Sequence, residues 1–183
     1  MEEKNGCRRG CCLTAGRPGG ICKIFKGIFD HQYHSKDIKN LQKIIDLKIY
    51  RIIDANFNRA REGLRVCEDV ARFILDKKGA TKRYKLIRHR LAGLLLVFGS
   101  TKVIRGRSVV GDVGRKSVQS ELKRKGIRDI FYANSQRVKE SVRVLEEFAK
   151  LSNSATAEKL KRIRYQIYAL EAEVIARISR RNF

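Results

Sequence analysis

The chain has no tryptophan, one proline and one methionine in 183 residues, and 19 acidic side chains against 42 lysines and arginines. With so little proline and so much Arg, Lys, Leu, Ile and Ala, long helices are favoured over sheet. The longest apolar run, residues 91–98, is broken by Gly93 and falls far short of the ~20 residues a membrane span needs. The N-terminus has no apolar stretch ending in small residues, so a secretory signal is not expected. The five cysteines are then expected to be reduced thiols in a cytoplasm. Also missing are a Ser/His/Asp arrangement, an H-E-x-x-H and a G-x-G-x-x-G, and with them the common hydrolase, zinc-protease and dinucleotide readings.

What is present in excess is positive charge. The formal net charge is +23. Residues 49–183 carry 32 basic and 14 acidic residues, so the excess belongs mainly to the folded part. Such a field draws in anions: nucleic acid, anionic lipid or small polyphosphates. Residues 1–48 are set apart by their Gly- and Cys-rich stretch and lack of period. They read as a basic, disordered extension with a short helix over 36–48. Cys7, Cys11, Cys12 and Cys22, with His31 and His34, lack the paired C-x2-C of a structural zinc site. Cys67 falls on an apolar stripe and is expected in the core.

Beyond residue 48 the chain repeats itself. Residues 54–73 and 132–151 align without a gap and share Asn56/Asn134, Arg59/Arg137, Glu62/Glu140, Arg65/Arg143 and Glu68/Glu146. A core needs repeated apolar residues, but it does not need the same Asn, Arg and Glu twice. The apolar stripes repeat as well. In the stripe Ala60, Leu64, Cys67, Ala71 and Ile74, the first four correspond to Val138, Val142, Leu145 and Ala149. Tyr84, Ile87, Leu91, Leu94 and Phe98 correspond to Leu160, Ile163, Ile167, Leu170 and Val174, with Arg88/Arg164 between them. Thr81 is the expected N-cap of the second helix.

Two helical hairpins, each with one apolar face, bury it by packing together. The expected fold is all-α: a helical bundle of two duplicated αα-hairpins (49–99 and 127–180) with pseudo-two-fold symmetry. The joint, residues 99–117, reads as a glycine-rich basic loop that does not continue a helix, with a short helix over 118–125 closed by Gly126.

The repeated Asn-Arg-Glu-Arg-Glu row drifts ~60° per three-residue step, so it winds around its helix. From spacing alone it is either a solvated salt-bridge ladder or a set of phosphate clamps with carboxylates for a metal. The loop adds Arg105, Arg107, Gly111, Asp112, Gly114, Arg115 and Lys116, a pattern suited to anions. It is not a Walker A loop, because Asp112 stands where Lys is required.

The run RIIDANFNRAREGLRVCEDVARFIL, the GDVG at 111–114 and the later RVLEEFAKL resemble a helical family. That family is found at the N-terminus of some bacterial thiamine-phosphate synthases and also as a free-standing hydroxymethylpyrimidine phosphate kinase. The resemblance covers residues 49–180. Arg115 follows GDVG where a small hydroxyl residue is expected. The resemblance implies transfer of the ATP γ-phosphoryl group to 4-amino-5-hydroxymethyl-2-methylpyrimidine phosphate, with Mg²⁺. It also implies a free-standing enzyme working beside a separate synthase. Apart from the resemblance, a second copy of the chain, as a homodimer, is a candidate partner.

That acceptor is already mostly ionised at pH 7, its second pKa being ~6, so no general base is required. The difficulty is joining two polyanions, which calls for Arg, Lys and one or two carboxylates. On this reading Arg59, Arg65, Arg88, Arg137, Arg143 and Arg164 contact phosphates. Glu62, Glu140 and Asp112 orient substrate or hold the metal, with Glu62 and Asp112 as the metal pair. Asn56 and Asn134 bind the pyrimidine or backbone groups, Gly111 and Gly114 line the loop, and the two ladders share one cleft. The rival reading is a basic nucleic-acid-binding module or a non-catalytic accessory domain of a synthase. Glutamates interleaved with the basic residues, and the lack of a recognition motif, weigh against nucleic acid.

Overall fold

The computed structural model describes residues 35–108, 112–114 and 123–181. The expected disorder of residues 1–34 lies outside these, as do Gly111, Arg115 and Lys116. Among the described residues every regular element is helical: α1 (Ser35–Asp69), α2 (Lys78–Phe98), α3 (Ser100–Arg105), α4 (Ile127–Ala149) and α5 (Ser154–Arg180). The all-α expectation is met.

Helix α1 runs unbroken through the expected boundary at residues 48/49, so the helix over 36–48 is its first part and not a separate element. Its N-terminal turns leave Ile38, Leu41, Ile44 and Leu47 about half exposed. At its other end the chain widens into one π turn, Val70–Ile74, where Leu75 N donates to Val70 O at 3.1 Å. A π turn inserts one residue into the helical register. Leu75, at 1% exposure, therefore takes the core position that the 3.6-residue period assigned to Ile74. Asp76 then adopts φ +52°, a left-handed conformation Asp tolerates, and the chain reverses.

This early reversal starts α2 at Lys78, ahead of the expected cap. Thr81 lies inside the first turn, and its hydroxyl donates to Lys77 O at 2.9 Å. By contrast α5 has a true side-chain cap: Asn153 Oδ1 accepts from Thr156 N at 2.9 Å.

The joint also departs from expectation. Gly99, at φ +78°, does end α2, but a short helix follows at once. Its Val103 is buried, and Gly106 sits so close to α1 that a Cβ there would meet Arg51 N at 2.9 Å and Leu47 O at 3.0 Å. Tertiary packing on α1, which local composition does not reveal, holds α3 in place. Of the expected helix over 118–125, residues 123–125 are not helical and the rest lie outside the described residues.

In the bundle α1 packs on α4 and α2 on α5, while each hairpin pairs α1 with α2 and α4 with α5. The four long helices thus form a square. Both cross-hairpin pairs are antiparallel. Gly63 lies against Asn134 and Val138 while Cys67 faces Phe131. Arg83 pairs with Glu173 while Arg90 meets Gln166. The stripe residues on α2, α4 and α5 are all buried, and Cys67 is 1% exposed.

Burial pushes the Cys67 thiol up to about 12, with Glu171 adding in the same direction. A thiol with an ordinary value of 9.0 in the unfolded chain loses its proton there first. Stability is therefore expected to fall as pH rises from about 9 towards 12, and Cys67→Ala should flatten that decline in urea unfolding. A Cβ at Gly63 would meet Val138 Cγ2 at 2.7 Å and Asn134 O at 2.9 Å. Gly63→Ala should cost about 1–3 kcal/mol by overpacking, read as a lowered unfolding midpoint.

Candidate functional site

The polar half of the repeat resolves into two matching ion clusters. Glu68 is 3% exposed, and its carboxylate accepts from Arg88 Nε at 3.1 Å with Arg65 Nη1 at 3.5 Å. Glu146, equally buried, accepts from Arg164 Nε at 3.0 Å and Arg143 Nη1 at 2.8 Å. Each cluster ties the first helix of a hairpin to the second. Each holds one nearly buried guanidinium and one that is about half exposed. Two oxygens of one carboxylate hold two guanidinium groups; Arg143 also reaches Glu147 at 2.6 Å and Arg164 donates to Tyr168 Oη at 3.2 Å, and the N–H groups beyond these are left for other anions. Hydrogen bonds to Tyr168 and to Glu146 hold the Arg164 guanidinium firmly charged.

The row divides as helical drift requires. Counting 100° per residue, Glu62 stands about 120° and Arg59 about 180° around from Glu68. Arg59, Glu62, Arg137 and Glu140 are accordingly exposed and make no ion pair among the described residues. Asn56 and Asn134 play one shared part: each side chain donates to the carbonyl four residues back, Ile52 O at 2.9 Å and Ile130 O at 2.8 Å.

The two clusters do not share a cleft. In a square bundle the α1–α2 seam and the α4–α5 seam lie on opposite walls. The repeat in sequence carries no information on this, because it fixes each hairpin but not how the two meet.

The α4–α5 seam opens into a groove of about 530 Å³. Arg143, Lys150, Lys161 and Arg164 line it, with Glu146, Glu158, Ser154 and Tyr165. Ser154, the first residue of α5, is part of the lining, so the positive end of a long helix dipole lies at the groove. The Lys150 ammonium and the Arg143 guanidinium hold Glu147 below its usual carboxylate range. At the equivalent places in the other seam stand Arg72, Lys78, Lys82, Lys85 and His89, which is more basic still.

Asp112 is exposed; it accepts from Gly114 N at 3.0 Å and lies 4.0 Å from Arg51. No three His, Cys, Asp or Glu side chains gather among the described residues. Gly111 lies outside the described residues.

Two buried groups were missed by sequence reasoning. Asp54, 8% exposed, binds Arg107 with both oxygens at 2.7 Å and so fastens the exit of α3 to α1. Arg107 is thereby committed to a carboxylate. Lys139 reaches Glu171 at 2.5 Å inside the α4–α5 seam, and Glu171 Oε1 has no hydrogen-bond partner among the described residues. Asp54 and Glu171 have no acidic counterpart in the other half, where Tyr132 and Leu95 stand. That break in the repeat was their one visible signal.

Residues 51–173 match the ThiD2 family. The chain belongs to that family. Among curated relatives, the thiamine-phosphate synthase of Prochlorococcus marinus (strain AS9601) is 39% identical over 132 residues, covering 72% of this chain and 36% of its own. That of Nostoc sp. (strain PCC 7120) is 37% identical over 135 residues, 73% of this chain and 37% of the relative. A second Prochlorococcus marinus synthase, from strain CCMP1986, is 41% identical over 130 residues, 71% and 36% respectively. This ThiD2 chain therefore spans just over a third of the length of these relatives. No solved structure matches it. No helix among the described residues is long and apolar enough to cross a membrane.

Removing the carboxylate of either cluster takes the ion-pair partner from an arginine that is largely covered. Glu146→Ala and Glu68→Ala should each lower stability by about 3 kcal/mol in urea unfolding. Glu140→Ala, on an exposed face, should change it by less than about 0.5 kcal/mol.

Proposed function

We propose that this protein phosphorylates 4-amino-5-hydroxymethyl-2-methylpyrimidine phosphate to its diphosphate with ATP. The observation that carries the reading is the α4–α5 groove, where four cations surround an opening at a helix N-terminus in a chain of the ThiD2 family. The names of its relatives place them in thiamine-phosphate synthesis, and the groove has the chemistry of a polyphosphate site.

Arg143 and Arg164, oriented from behind by Glu146, take phosphate oxygens with their remaining N–H groups. Lys150 and Lys161 lower the repulsion between acceptor and donor phosphates. No side chain needs to abstract a proton, because the acceptor phosphate is its own nucleophile. Mg²⁺ fits as an ion carried by the polyphosphate, keeping waters and taking one or two carboxylates. Its chemistry is neutralisation of charge on the phosphates. Glu158 is the carboxylate of the groove lining free to serve it, once released from Arg162 at 3.3 Å.

The runner-up is an accessory domain, favoured by the relatives' longer chains. One assay separates the two. Purified protein with ATP should consume the pyrimidine phosphate but not the unphosphorylated alcohol. Arg143→Ala and Arg164→Ala should each lower kcat by on the order of 10²-fold. The rate should fall as pH drops through ~6, where the acceptor takes up a proton, without an earlier loss from a histidine base. Near wild-type turnover in both arginine variants would overturn the site, and no turnover on either acceptor would favour the accessory reading.

A further inference from the structure

We propose that the α4–α5 seam also holds a stacking subsite for a planar nitrogen heterocycle, built from Tyr165, Tyr168 and Tyr132 beside the phosphate groove. The proposal deepens the kinase reading and takes from it only the identity of the heterocycle.

Aromatic residues make up 8% of the chain, yet three of its six tyrosines gather on this wall. They are not core residues: Tyr132 is 50%, Tyr165 57% and Tyr168 39% exposed. Exposed rings are ordinarily free to turn, but two of these hydroxyls are anchored. Arg164 Nη1 donates to Tyr168 Oη at 3.2 Å, and Gln136 Nε2 donates to Tyr132 Oη at 3.0 Å. Tyr165 meets Tyr168 edge to face, with centroids 5.9 Å apart. The Arg164 guanidinium lies 5.2 Å from the Tyr165 centroid and 5.6 Å from that of Tyr168. Cations thus hold the rings in place, Tyr168 between Arg164 and Lys139 as a support, and the surface left for a ligand is the exposed part of Tyr165 and Tyr132.

Beneath them lies Lys139. Its ammonium is 5.5 Å from the Tyr168 centroid and 6.0 Å from that of Tyr132, held there by Glu171. A bond of this kind between two nearly buried charges fixes a floor on which the two tyrosines rest. Glu171 and Lys139 act as positioning residues.

The same wall on the first hairpin lacks these features. His89, Ala92, Asp54, Leu95 and Arg61 stand where Tyr165, Tyr168, Tyr132, Glu171 and Lys139 stand here. Both seams kept the Arg–Glu–Arg cluster, and only one acquired rings. Tyr165 belongs both to the ring pair and to the lining of the phosphate groove. A ligand spanning both therefore carries a flat ring and a phosphate. Two molecules of the proposed reaction share that chemistry, the aminopyrimidine phosphate and the adenine nucleotide.

The test is calorimetric titration of the full chain with three probes: the hydroxymethylpyrimidine phosphate, ADP and pyrophosphate. In Tyr165→Leu, which leaves the Tyr168 bond to Arg164 intact, affinity for one of the two heterocyclic probes should fall by on the order of tenfold, and that probe identifies the occupant. Pyrophosphate should change by less than about twofold, because it has no ring to stack. Tyr165→Phe keeps the ring and should recover most of the affinity that leucine removes. An equal loss for pyrophosphate, or no loss for either heterocycle, overturns the subsite. Tyrosine-dependent binding without turnover would sink the kinase reading and leave the subsite standing. Turnover with tyrosine-independent binding would do the reverse.

Discussion

One buried carboxylate per hairpin, Glu68 and Glu146, is the constraint on which the arrangement depends. An ionised glutamate at 3% exposure is costly unless its oxygens are occupied, and here two arginines from two helices occupy them. That requirement sets the rotation of each helix about its axis and brings Arg88 or Arg164 inward. Apolar stripes alone would tolerate sliding by a turn, since one Leu replaces another at modest cost. A buried carboxylate held by arginines from two helices tolerates far less. The polar repeat is therefore a device of alignment first, and its outward N–H groups are what remains for ligands.

The two hairpins then diverge around this shared frame. The first hairpin spends its distinctive acid, Asp54, on tying down Arg107 and hence α3. The second spends its own, Glu171, on holding Lys139 under a pair of tyrosines. One wall became a support for the joint and the other an open cationic groove. The bundle presents these walls on opposite sides, so equal clusters face unequal tasks.

The helices, their apolar stripes and the pairing of Glu68 with Arg65 were legible in the sequence, because they obey a local period. Four features were not. The π turn shifts Leu75 into the place of Ile74, and nothing in a 3.6-residue count signals an inserted residue. Helix α3 forms between two glycines because Val103 and Gly106 find α1 already in place. The Lys139–Glu171 pair spans 32 residues, and its partners are ordinary charged residues of two amphipathic helices. The opposite placement of the ladders depends on which helices become neighbours, and a repeat cannot specify that. The winding of the row was visible too, yet the expectation kept Arg59 and Glu62 with Arg65 in one cleft, whereas the drift turns both onto an exposed face.

Arg90 and Gln166 are equivalent positions of the two hairpins, and they meet each other where α2 crosses α5 antiparallel. A residue that touches its own counterpart marks the axis of an isologous interface, the geometry of a symmetric dimer. Here both halves belong to one chain. Closure of the interface is consequently intramolecular, governed by the effective concentration that the joint imposes, and not by how much protein is present. A dimer of identical hairpins would dissolve on dilution and would be bound to carry two identical walls. Joining the halves removed the first constraint and freed each wall to change without the other.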